Sequence, residues 1–235
     1  MVEPMIFFKD RIHRLPRVWT NRELKKFAHF FHGEIANVSG WKDIDKEGKR
    51  YRDYFINASA YTITNYKTDK RGFQGFKNEV FLDLEKTLPE SLYQKFDVVF
   101  NHTTLEHIYN IKKAFQNLCN LSKDIVIIVV PFLQQYHSDY GDYWRFTPLA
   151  IQRMFRDNDF ELLYQSFNSN KKTSVYIFTI ASRNPEKWKD KFDWSFTCRD
   201  PKGKGVEPFI GCNAIPNTAH KYYRFFSRLM KLSKP

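Results

Sequence analysis

Cysteine is nearly missing from this chain: Cys119, Cys198 and Cys212 are the only three among 235 residues, and none sits in a C-x-x-C pair. That excludes a disulfide framework and the common thiolate zinc sites, and it suits a reducing compartment. No apolar run approaches the roughly 20 residues a helix needs to span a bilayer, the longest lying around residues 125 to 133. The first twenty residues carry Lys9, Asp10, Arg11, Arg14 and Arg17 and no sustained apolar core, so no secretory leader is read there. The expectation is a cytoplasmic protein, at most peripheral at a membrane face. Glycine is also sparse, with nine residues in all, and no internal repeat or low-complexity tract is visible.

What the chain does have is apolar and aromatic mass: 42% hydrophobic residues and 23 phenylalanines, enough to fill one sizeable core and too much for disorder. Its net charge of +12 is unevenly spread. Residues 1–33 hold 7 basic and 3 acidic side chains, residues 34–182 hold 19 and 18, and residues 183–235 hold 12 and 5. A neutral central domain over 34–182 is therefore flanked by a basic N-terminal segment and a basic C-terminal extension. Basic ends suit an anionic membrane surface or an acidic acceptor. A nucleic-acid enzyme more often carries its basic surface beside the cleft, so nucleic acid is the less expected partner.

The hydropathy pattern is that of an α/β chain. Thr20 to Glu23 has the form of a capping box ahead of an apolar stripe at Leu24, Phe27, Ala28 and Phe31, with Gly33 as the stop. Strands are read at Glu34 to Gly40, Ala60 to Tyr66, Val80 to Leu84, Asp97 to Phe100 and Ile125 to Val130. The last of these is almost wholly apolar and β-branched, as in a parallel strand covered on both faces. Between the last two, Ile111, Ala114, Phe115, Leu118 and Cys119 mark one helix face, which makes a βαβ unit. The charged stretch Trp41 to Asn57 has only weak helical periodicity, so a short helix or a loop is expected there. Thr147-Pro148 starts a further helix. Phe160 to Phe167 and Thr173 to Ala181 are joined too tightly for anything but an antiparallel hairpin.

The run FLDLEKTLPESLYQKFDVVFNHTTLEHIYNI, followed by VVPFLQQYHSDYGDYWRFTP, resembles the second half of a class I S-adenosylmethionine-dependent methyltransferase domain, closest to the branch that modifies small molecules and glycans. The resemblance spans about residues 30 to 182. It implies a Rossmann-like fold: a seven-stranded, mostly parallel sheet with a reversed C-terminal strand, and S-adenosylmethionine as cofactor. It places cofactor contacts at Asn37, Ser39, Gly40, Asn65, Asp83, Leu84 and Asn101. Within that set, Asp83 would accept from the adenine amino group. Asn65 stands where the family has an acidic residue for the ribose, and only Ser39-Gly40 remain of a glycine-rich turn. Glu106 and His107 would fix the start of the following helix.

Methyl transfer to a hydroxyl needs an aligned acceptor and a base. His102 after the fourth strand and His137 after the fifth are the candidate catalytic residues, each with the alternative of satisfying local backbone. Tyr140, Asp142, Tyr143 and Arg145, with Asp139, interleave rings and charges around one glycine, which suits a sugar. The alternative is that Tyr143, Trp144 and Phe146 pack while Arg145 pairs with a carboxylate. His102, His107, His137 and Asp139 match no metal-site spacing, so no metal is expected.

These readings converge on an S-adenosylmethionine-dependent enzyme that O-methylates a glycan, glycolipid or other small acceptor, acidic in character. Two rivals stand beside it: a methyltransferase-like scaffold that has lost turnover, and a nucleic-acid methyltransferase. At the far end, Lys221, Arg224, Arg228 and Lys231 share one helical face and Tyr222, Phe226 and Leu229 another. That is the composition of an interfacial helix on an anionic membrane.

Overall fold

Alternation along the strands sets the architecture. In β5 (Ser122–Leu133), Ile125, Ile127 and Val129 face one way and Val126, Ile128 and Val130 the other, and all six are buried. A strand apolar on both faces must be covered on both faces. The computed structural model, which describes residues 10–67, 72–137, 141–168, 170, 172–192, 210, 222 and 226, supplies both covers. Helices α2 (Ile111–Leu121) and α3 (Pro148–Arg156) cover one side with Ala114, Phe115, Leu118, Ile151 and Phe155. Helix α1 (Arg14–Phe27) and the turn after it cover the other with Leu24, Ala28 and Phe31. Phe100, Tyr176 and Phe178 belong to this second layer.

The remaining strands are β1 (Gly33–Val38), β2 (Ala58–Asn65), β3 (Glu79–Phe81), β4 (Phe96–His102), β6 (Glu161–Phe167) and β7 (Val175–Ser182). They form one seven-stranded sheet in the order β3-β2-β1-β4-β5-β7-β6. Pairings from β3 through β5 are parallel, whereas β7 runs antiparallel to both β5 and β6. The expected reversed last strand is present. Because β7 is reversed, its first residues lie beside the last residues of β5, with Pro131 opposite Tyr176.

Three local expectations are corrected. Helix α1 begins at Arg14, not after Thr20. Ahead of it, the Asp10 carboxylate accepts from the N–H groups of Ile12, His13 and Arg14. Thr20 and Glu23 instead lie inside the helix and are buried, Glu23 accepting from Tyr164 Oη at 2.6 Å and Ser166 Oγ at 2.9 Å. Strand β3 stops at Phe81, so Asp83 and Leu84 follow its carboxyl end. Gly33 opens β1 at φ +87, where a Cβ would overlap the Asp97 carboxylate, rather than closing a helix. The charged stretch after β1 is a loop with one short 3₁₀ turn, Tyr51–Tyr54. Among the described residues no helix is long and apolar enough to cross a membrane.

Candidate active site

Parallel strands that leave a sheet at the same edge leave their loops in one crevice, and the point where strand order reverses, between β1 and β4, opens it. The loop after β1 takes left-handed backbone at three residues other than glycine: Ser39, Trp41 and Asp43, at φ 59, 47 and 60. Bonds to the end of β2 hold it there. Gly40 N–H donates to Thr64 O at 3.3 Å and Trp41 N–H to Asn65 Oδ1 at 2.7 Å. Asn65 Nδ2 turns to Trp41 O and Glu79 Oε1. Asn37 Nδ2 donates to Asp43 Oδ1 at 2.7 Å, and Asp43 also accepts from Tyr61 Oη and Arg52 N. Burial raises the Asp43 pKa, while those donors pull it down. The side chains of Asn37 and Asn65 thus have protein partners.

Asn101, at the end of β4, differs. It is fully buried, its Nδ2 donates to Val38 O at 2.9 Å, and its Oδ1 has no partner. Asp83 is half-buried past β3, with Oδ1 accepting from Glu85 N. Leu84 is a core side chain, so only its backbone can face a ligand. Ser39 and Gly40 lie between Asn37 and Trp41 at the same edge.

The ends of β4 and β5 carry the titratable groups. His102 Nε2 lies 2.8 Å from Thr20 Oγ1, and Nδ1 3.1 Å from Thr103 Oγ1. Burial, with the Arg17 charge added, holds its pKa well below the ordinary 6.5, so the ring is neutral. His107 Nδ1 donates to Gly141 O, which leaves Nε2 as the acceptor nitrogen, 3.8 Å from Glu106 Oε1. Glu106 is 1% exposed and its Oε2 has no partner. Burial lifts its pKa from 4.5 to about 7 against the pull of Arg17 and Arg145. His137 is edge-on to His107, with ring centroids 4.9 Å apart, and its buried Nδ1 makes no hydrogen bond.

The distinctive loop divides. Arg145 grips Asp142 through two nitrogens at 2.5 and 2.7 Å and holds its carboxyl at about 2, while Asp142 Oδ2 also accepts from His137 N. Phe146 is core and Trp144 Nε1 donates to Ile108 O. Tyr143 stays 52% exposed, edge-on to the exposed Tyr109 at 5.4 Å. Tyr140 and Asp139 lie outside the described residues. Among the described residues one trio could hold a metal ion, His107, His137 and Asp142, with ligand atoms within 4.8 Å of one another. The carboxylate of that trio is already neutralised by Arg145.

With this geometry in hand, the chain can be set against known proteins. No protein-family model matches it, and no curated protein does. Solved structures do match. A candidate methyltransferase from Bacillus halodurans C-125 superposes with a TM-score of 0.52 at 10% identity, over 69% of this chain and 97% of that one. A candidate methyltransferase in complex with the Haloferax volcanii Trm112 methyltransferase activator gives 0.51 at 9% identity, over 71% and 90%. The chain has the class I methyltransferase fold.

Within this methyltransferase fold, α1 and β7 bring groups to the site that the sequence motifs did not indicate. Arg17 Nη2 donates to Thr103 Oγ1 at 3.1 Å, His13 Nδ1 meets Gln134 Nε2 at 3.2 Å, and Tyr176 stands beside the end of β5. Arg17 was legible only as part of a basic N-terminal segment, and Tyr176 as one ring in an apolar strand. The one sequence signal pointing to Tyr176 is a hydroxyl on the strand face that Phe178 and Ile180 also occupy.

Proposed function

We propose that this chain is an S-adenosylmethionine-dependent methyltransferase that transfers the methyl group to an oxygen of a small hydroxylated acceptor, a glycan or glycolipid precursor. One observation carries the reading. Asn101 Oδ1 is buried without a partner near the end of β4, one residue before His102, at the sheet edge where the loops after β1, β4 and β5 emerge, so two ligands can meet there. Asn101 Oδ1 fits a donor such as the ammonium of the cofactor, Asp83 can accept from its adenine amino group, and the left-handed turn at Ser39 to Trp41 forms the adjoining wall. When bound, the cofactor supplies a methyl group on a positively charged sulfur. The residues of the chain orient the acceptor and take its proton. His102 is held neutral between two hydroxyls, and His137 Nδ1 is buried beside Asp142. Exposed rings at Tyr109, Tyr136 and Tyr143 rim this end of the sheet and can stack on a sugar face.

Calorimetric titration of the purified protein with S-adenosylmethionine and S-adenosylhomocysteine tests the cofactor, and release of S-adenosylhomocysteine in the presence of sugar acceptors tests the reaction. Binding with turnover is the expected result. A second reading is a methyltransferase-like scaffold, favoured by the commitment of Asn37, Asn65 and the Gly40 and Trp41 N–H groups to partners inside the protein. No heat with either nucleoside would select it. We also assign the basic C-terminal extension to an anionic membrane surface.

A further inference from the structure

Buried polar atoms in folded proteins nearly always have partners, so a concentration of orphans marks a place built for something else. Among the described residues, five of the orphaned side-chain atoms belong to one neighbourhood: Arg17 Nε, Glu106 Oε2, Gln134 Oε1, His137 Nδ1 and Tyr176 Oη. They come from α1, the turn after β4, the segment after β5 and the start of β7, elements far apart in sequence. A chain of contacts joins them. Gln134 touches His13, His13 is edge-on to His137 at 5.5 Å, His137 to His107, and His107 Nε2 faces Glu106. Arg17 lies within reach of the Tyr176 hydroxyl, and the charges of Arg17 and Glu106 both act on it. Tyr176 is fully buried and Glu106 nearly so.

The chemistry of the set is two-sided. Arg17 Nε–H and the Tyr176 hydroxyl are donors, one of them cationic, whereas Glu106 Oε2 and Gln134 Oε1 are acceptors. A neutral apolar ligand would leave all four unpaired, and a simple anion would satisfy only the donors. We propose that these residues are the acceptor site and that the acceptor is a hydroxylated oxyanion, a sugar carboxylate or sugar phosphate. Arg17 and Tyr176 hold its anionic group, and Glu106, in place of His102 or His137, takes the proton of its hydroxyl. This rests on the methyltransferase reading above. The hydroxyl proton moves to Glu106 Oε2, the acceptor oxygen uses its electron pair to form the O–CH₃ bond, and the C–S bond that breaks leaves its pair on sulfur. The raised pKa of Glu106 suits a carboxylate that must recover a proton and lose it again near neutrality.

The test is calorimetry on the full chain at physiological salt, with D-glucuronate, D-glucose 6-phosphate and D-glucose as probes, each with and without S-adenosylhomocysteine. At least one anionic sugar should bind about tenfold or more tighter than glucose, the worth of one charge-assisted hydrogen bond. Which one binds identifies the anion as carboxylate or phosphate. Arg17→Gln and Tyr176→Phe should each remove that preference while leaving S-adenosylhomocysteine affinity unchanged, and Arg17→Lys should restore part of it. Glu106→Gln should keep anion binding and lose methyl transfer by about a hundredfold or more. Equal affinity for all three sugars, no sugar binding at all, or variants that lower thermal stability without moving the anion preference would each overturn the proposal. Anion binding without nucleoside binding would instead leave this site standing and remove the methyltransferase reading.

Discussion

Glu106 shows what a single residue can carry. In sequence it reads as an acid placed near a helix start, yet the helix that follows begins at Ile111 and is capped by Asn110. Its carboxyl is surrounded by Arg17, Arg145, Asp142 and His107, and burial outweighs the two cations. Because the folded pKa is raised, the folded chain keeps a proton that the unfolded chain releases between pH 4.5 and about 7. The stability contributed by this group is therefore full below pH 4.5, falls as pH rises, and levels off above 7 with about 3 kcal/mol lost. His13, His102 and His107, whose pKa values are lowered, act in the opposite sense on acidification. Urea titrations of wild type and Glu106→Gln across that window separate the two effects, since the histidine contribution is largely common to both proteins. The variant should gain on wild type by about 3 kcal/mol from the bottom of the window to the top, and a constant difference would show that Glu106 is ionised throughout. Asp83 is a second residue-scale case. If it accepts from the adenine amino group, Asp83→Ala should weaken S-adenosylmethionine binding by about 1.5 to 3 kcal/mol, and unchanged affinity in a folded variant removes it from the site.

At the scale of elements, what was legible in the sequence is what depends on local pattern. Strand β5, the amphipathic face of α2, Thr147 as the cap of α3 and the β6–β7 hairpin all follow from spacing and propensity, and all are present. The misplaced start of α1 has a physical cause. A Thr and a Glu three apart suit a helix end, but they equally suit buried positions once distant residues supply the partners, His102 for Thr20 and Tyr164 and Ser166 for Glu23. The same cause hid Arg17 and Tyr176 from the site, because their neighbours are set by sheet order and not by spacing. The loop after β5 can be tested as a unit. Arg145 bridges Asp142 through two nitrogens, and Asp142 in turn accepts from the His137 backbone N–H. Arg145→Ala should destabilise the fold by about 1.5 to 3 kcal/mol and cut methyl transfer, with S-adenosylmethionine affinity nearly unchanged. His137→Ala should cut transfer with less effect on stability. Equal loss of cofactor binding in both variants would make the loop part of the nucleoside site instead.

The whole molecule is a neutral domain with basic ends, and the question at that scale is what the ends meet. Part of the N-terminal segment is structural, since α1 belongs to the core and Arg17 faces the site. The C-terminal segment from Ala219 to Lys234 lies outside the described residues except for Tyr222 and Phe226. These two sit one helical turn apart on the face read as apolar, and they are 62% and 57% exposed. By sequence spacing alone, Lys221, Arg224, Arg228 and Lys231 fall on the other side of a helix from these rings, and we propose that the rings insert into a headgroup layer while the cations stay at its surface. Each cation near an anionic leaflet contributes about 1 kcal/mol, so the four together supply about 4 kcal/mol beyond the burial of the rings. Flotation with vesicles of phosphatidylserine and phosphatidylcholine, against phosphatidylcholine alone, measures this. The full chain should float with the anionic vesicles and stay behind with the neutral ones. Replacing the four cations by Gln, or Tyr222 and Phe226 by Ser, should abolish flotation, and raising the salt should weaken it because surface charge is screened within about 10 Å at 0.1 M. If the variants float as well as the parent, the tail is not the anchor. The positive charge of the ends would then have to act on a soluble anionic acceptor, the class of ligand that the Arg17 and Tyr176 site is built to hold.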